Sequence, residues 1–196
     1  MLCQRVRSGA SRGSSGSLCR YGKFVTIRDE IETEAWHILT SIYTHQRLME
    51  SLPKSPTRFE LANQLVALNA LLEMLVIRIA RLADKRKDAR SVSMLLKRGT
   101  FPVSSATVKV AADRFLSLSE PVVKMRHEQI AHMKPGTLSS YEPKNLPAEA
   151  LRATESLIDL VDIARGQPLS YTYKVGSMEP AIDLRASLAA GKMVAA

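Results

Sequence analysis

The chain is poor in the features that build secreted, membrane-embedded or β-rich proteins. It has two cysteines, Cys3 and Cys19, both near the start. A disulfide framework would staple the core, so this placement argues against one and points to a reducing, cytoplasmic compartment. Aromatic residues make up only 5% of the chain, against 45% hydrophobic residues overall. Packing therefore falls to Leu, Ala, Ile and Val, which favours helices over a β-sandwich. No run of about 18 apolar residues occurs, so no membrane-spanning helix and no membrane partner are expected. Acidic residues are missing from positions 1–23, which hold Arg5, Arg7, Arg12, Arg20 and Lys23. That stretch also lacks the apolar centre of a secretory signal. It reads as a flexible basic tail or an extended gene start, in preference to a transit peptide.

The formal net charge is +9 and the pI is near 9.8. Such an excess suits a polyanionic partner, nucleic acid before others, although charge sets attraction and not fold. With 196 residues the chain is long enough for one domain with its own core. Three parts are expected: the tail at 1–23, a helical bundle at 24–166 and a C-terminal extension at 167–196.

Apolar residues recur at helical spacing from Thr26 to about Leu52, through Ile27, Ile31, Ala35, Ile38, Leu39 and Ile42. Pro53 and Pro56 stop this first helix. Thr57 followed by Glu60 reads as a capping box opening a second helix, to about Leu82. Its middle, Leu65 to Ile79, is apolar nearly all round, so a central position is expected. Asn69 and Glu73 interrupt it four residues apart, on one face. A charged turn follows, with Arg81, Lys85, Arg86, Lys87 and Arg90, then a short helix from Ser91 to Arg98 closed by Gly99. The third long segment runs from about Ser104 to Met133, and Pro121 should kink or split it near Glu120. A fourth helix spans about Pro147 to Arg165, with Gly166 as its stop. Tyr171 to Val175 reads as a short extended piece, and the last dozen residues as a short helix or a frayed tail. Four substantial helices with short connections predict an all-α, up-and-down four-helix bundle with a short extra helix.

Arg126-His127-Glu128-Gln129-Ile130-Ala131-His132 holds two of the four histidines. Three readings compete for it. A zinc-protease helix needs histidines four apart on one face. These are five apart, about 140° around an α-helix, and no cysteine or further histidine stands nearby. No metal and no cofactor are therefore expected. A purely structural reading makes Arg126 and His132 polar residues at a helix end, where positive charge suits the dipole.

The third reading is a resemblance. Met125 to His132 resembles the signature of the HEPN superfamily: Arg, four to six residues, then His, often preceded by Ala or Val. Arg78-Ile79-Ala80-Arg81-Leu82-Ala83-Asp84-Lys85, then Ser91-Val92-Ser93-Met94-Leu95-Leu96, is similar to the abortive-infection-like branch. There an apolar helix ends in an Arg-Leu-x-Asp turn and a Ser-hydrophobic-Ser-x-Leu-Leu segment follows. Trp36 and Tyr43 fit an early helix carrying aromatic residues. The likeness covers roughly residues 26–165. One departure is His127, where many members carry Asn or Asp.

The resemblance implies a metal-independent endoribonuclease of toxin or phage-defence type. Arg126, His132 and His127 are the candidate catalytic residues. His132 would take the ribose 2′-hydroxyl proton, and Arg126 would hold the charge growing on the phosphate. It also implies a homodimer, in which a second His132 supplies the acid, and a possible cognate antitoxin. His127 is a rival for the acid, and which histidine is the base stays open. On an α-helix Arg126 and His132 lie about 240° apart, so either the arginine uses its length or the helix loosens before Pro135. Lys85, Arg86, Lys87 and Arg90 are candidates for guiding an RNA backbone. Glu73 and Asn69 are candidates for orienting the arginine or a histidine. The alternative is a non-catalytic HEPN module binding RNA, nucleotide or a partner protein.

Overall fold

The computed structural model describes residues 15–54, 57–86, 88–132, 134–135, 142–174, 176–177, 181–192 and 194–196, with side chains from Ile27 on. Lys87 and residues 1–14 of the expected tail lie outside the described residues.

Four long helices pack around one core: α1 (Ser15–Ser51), α2 (Arg58–Leu82), α4 (Ser105–Met125) and α5 (Ala148–Arg165). Each packs on two neighbours, α1 on α2, α2 on α4, α4 on α5 and α5 on α1, which closes the ring of a four-helix bundle. The short α3 (Val92–Arg98) covers α1 and α4, and α6 (Leu184–Ala190) covers α1. The expected all-α bundle is what forms.

α1 already runs as helix from Ser15, ahead of the apolar periodicity that begins at Ile27. All six apolar positions anticipated on it are buried, from Ile27 to Ile42. They meet Leu75 and Ile79 of α2, Phe115 of α4, and Leu157 and Leu160 of α5.

Chemistry at the helix ends follows from single residues. The Thr57 side-chain oxygen accepts the Glu60 N–H at 3.1 Å, and the Glu60 carboxylate accepts the Thr57 N–H at 3.1 Å. This is the expected capping box, and it satisfies two otherwise orphaned donors. Ser91 caps α3 in one direction only, its side-chain oxygen accepting the Met94 N–H at 3.4 Å. Gly99 follows α3 with extended backbone, φ −82° and ψ 143°. Glycine is needed there for space, because a Cβ would sit 2.5 Å from the Phe101 ring and 2.6 Å from the Leu95 carbonyl oxygen. Gly166 ends α5 at φ 73°, a left-handed cap open to glycine at little steric cost.

Two expectations are narrowed. α2 is not buried all round: Leu68, Leu72, Leu75, Val76 and Ile79 face the core, but Phe59 is 75% exposed, Val66 56% and Met74 43%. A helix in a four-membered ring hides only the stripe its neighbours cover. Pro121 does not split the third segment either. α4 continues through it to Met125, although proline offers no N–H to the Ser117 carbonyl. The helical ladder changes five residues later, at Arg126.

Beyond α5 the chain adds a small annex. β1 (Thr172–Tyr173) pairs antiparallel with β2 (Ile182–Asp183), and Asp183 caps α6. The Tyr173 ring lies 5.8 Å from that of Trp36 and 5.6 Å from that of Tyr43, so the extended piece closes over the aromatic side of α1.

Candidate functional site

Arg126–Ala131 forms a π-helical turn, the kind in which an N–H reaches back five residues instead of four, although the Arg126 N–H at its start still donates to the Val122 carbonyl, four back. Two backbone features finish it. His132 leaves the helix at φ −109° and ψ 0°, and the Lys134 N–H donates to the Glu128 carbonyl at 3.0 Å. In an α-helix residues five apart diverge by about 140°. In a π turn they come nearly into line. The His127 and His132 rings meet edge to face with centroids 4.4 Å apart. Their Nε2 atoms lie 3.2 Å apart, the distance of a hydrogen bond whose direction depends on tautomer. The sequence argument that kept these histidines apart fails because the ladder is not α-helical. Their meeting does not revive a zinc-protease site, because no group of three or more His, Cys, Asp or Glu suited to a metal occurs among the described residues.

Arg126 and His127 line a groove of about 750 Å³ between the end of α2 and the outer face of α4. Arg126, His127 and His132 are all exposed, so none is spent in the core. The groove does not have the uniformly basic lining that an RNA site would favour. Lys85, Lys124 and Arg126 share it with Asp84, Asp113 and Glu120. Asp84 is the acid best placed to act on Arg126. Its carboxylate accepts from Arg86 Nε at 2.9 Å and from the Arg86 backbone N–H at 2.9 Å. The Arg86 side chain holds the Asp84 carboxyl below the usual carboxylate range, and the Arg126 charge adds a smaller pull in the same direction.

The other anticipated residues divide. Lys85 lines the groove and is exposed. Arg86 is engaged by Asp84. Arg90 is engaged by Glu30 at 2.9 Å and Glu34 at 3.7 Å, on α1. Lys87 lies outside the described residues. Glu73 and Asn69 do not line the groove. Glu73 sits eleven residues before Asp84, about three turns back along α2. Asp84 itself stands in the Arg-Leu-x-Asp turn that carried the resemblance, and that turn was the signal for it. Asp113 and Glu120 come from α4, seven residues apart and hence on one side of the helix.

Comparison with protein-family models, curated proteins and solved structures finds no match to this chain.

Proposed function

We propose that the chain is a metal-independent endoribonuclease in which His127 and His132 act as a pair beside Arg126. The observation that carries this reading is the 3.2 Å contact between the Nε2 atoms of His132 and His127, of which His127 lines the groove together with Arg126. To serve the attacking and leaving oxygens, which lie on opposite sides of one phosphorus, the two rings part from this contact, each turning its Nε2 to one oxygen. Neutral His132 takes the 2′-hydroxyl proton as the 2′-oxygen bonds to phosphorus. Protonated His127 gives its proton to the departing 5′-oxygen as the phosphorus bond to it breaks. Arg126 pairs with the non-bridging oxygens, whose charge rises in the transition state. The products are a 2′,3′-cyclic phosphate and a 5′-hydroxyl. Afterwards His132 holds the proton and His127 lacks one, and their direct contact lets the pair reset. DNA, without the 2′-hydroxyl, is spared.

On this reading one protomer supplies both acid and base. A homodimer is then a matter of assembly, and the exposed apolar side of α2 is the surface that supports it. Toxin or phage-defence use, with an antitoxin as restraint, belongs to the same proposal and comes from the HEPN resemblance. The three carboxylates in the groove favour the alternative, a non-catalytic module that docks a partner protein. Labelled RNA incubated with purified protein in EDTA separates the two. Cleavage that persists in EDTA and vanishes in His132→Ala and Arg126→Ala supports the enzyme. Binding without cleavage supports the module.

A further inference from the structure

We infer that His127 and His132 also form a two-imidazole binding site for a divalent transition-metal ion of the zinc, nickel or copper kind. Imidazole nitrogen binds zinc at about 2.0–2.1 Å. Two nitrogens 3.2 Å apart would therefore subtend about 100° at a shared ion, between the octahedral and tetrahedral ligand angles. The rings need no rearrangement of the main chain to reach this geometry, because the π turn has already brought them together. Each ring coordinates through Nε2 by carrying its proton on Nδ1. Both side chains are exposed, so an ion and its remaining waters can enter from solvent.

No group of three or more His, Cys, Asp or Glu able to hold a metal is present among the described residues. The site is thus an open one, with two protein ligands and the other positions left to water. It exchanges its ion readily, unlike a closed structural centre. Its selectivity follows from the donors. Nitrogen pairs suit zinc, nickel and copper, whereas magnesium and calcium prefer oxygen. This site does not depend on the ribonuclease reading. If that reading holds, the ion is an inhibitor, because it takes the Nε2 lone pair with which His132 accepts a proton and displaces the Nε2 proton that His127 gives.

The test is calorimetric titration of zinc chloride into the full, untagged chain. Cys3 and Cys19 are changed to Ser so that thiolates do not compete. The expected result is saturable binding at one site. His127→Ala and His132→Ala each weaken it at least tenfold, about 1.4 kcal/mol. His37→Ala leaves it intact, and magnesium gives no heat. Circular dichroism of the variants confirms that they keep the bundle. Zinc binding that survives both histidine substitutions, or the absence of saturable binding, overturns the proposal. The RNA assay in EDTA reports on the nuclease reading separately, so either idea can fail while the other stands.

Discussion

At the scale of single residues, the site rests on three exposed side chains whose value depends on position and not on burial. Arg126→Ala should lower RNA cleavage about 10²-fold or more, the usual cost of losing one donor to a developing oxyanion. Arg126→Lys should recover only part of it, because a point charge cannot grip two oxygens at once. Initial rates in EDTA decide this, and equal rates for wild type and Arg126→Ala would end the assignment. His45 makes a different prediction. It is buried, and its Nε2 has no partner among the described residues. Burial lowers its pKa from the ordinary 6.5, against a smaller opposing effect of the Lys144 backbone. The fold therefore favours neutral imidazole. Its contribution is whole above pH 6.5 and is lost as pH falls through the depressed folded value. Melting temperature should drop on acidification below pH 6.5, and His45→Gln should flatten that part of the curve. A wild-type profile that is flat between neutral pH and pH 5 contradicts this.

At the scale of elements, the π turn makes the site. Inserting one alanine after Gln129 puts the two histidines six apart, about 240° around an α-helical ladder, and should swing the two imidazoles apart. The bundle should keep its helical circular dichroism while cleavage collapses. Retained cleavage would show that the widened turn is dispensable. The end of α5 tests the opposite kind of geometry. A Cβ at Gly166 would meet the Pro102 Cγ at 2.9 Å, on backbone already at φ 73°. Gly166→Ala should cost about 1–2 kcal/mol from the left-handed backbone alone, read as a lower midpoint in urea unfolding. Elements differed in how plainly they were written. Thr57, Glu60, Ser91, Pro147 and Gly166 act through neighbours a few residues away, so the bounds of α2, α3 and α5 were legible. The π turn was not. Nothing local marks a change from i→i+4 to i→i+5, and projecting positions 127 and 132 on an α-helical wheel placed them on different sides. The hints were the spacing of those histidines and a loosening of the helix before Pro135, and neither specified a π turn. Asp84 was legible as part of a turn, but its place beside Arg126 depends on how α2 packs against the turn after α4, which is a tertiary fact. Glu73 does not line the groove: its face on α2 was clear from the sequence, and its height along the bundle was not.

At the scale of the whole molecule, the exposed side of α2 is the feature to test. Phe59, Val66 and Met74 are seven and eight residues apart, so they fall along one side of the helix. Val66→Glu combined with Met74→Glu should shift a dimer to monomer in light scattering, with the melting temperature little changed. An unchanged mass would rule out this face as the dimer surface. α1 also has a part in how the molecule is made. Glu32 and Glu34 on it reach Arg165 and Arg78, each at 2.6 Å, and Glu30 reaches Arg90. The Glu32 partner is 133 residues downstream. A ribosome thus releases α1 long before the helix that closes over it has been translated. Loop closure on that span is slow to nucleate, because its entropy is lost before contacts repay it. The nascent chain must carry the oily flank of α1 uncovered through most of synthesis. Stalled or truncated products lacking α5 are therefore the species that chaperones and proteases should meet first.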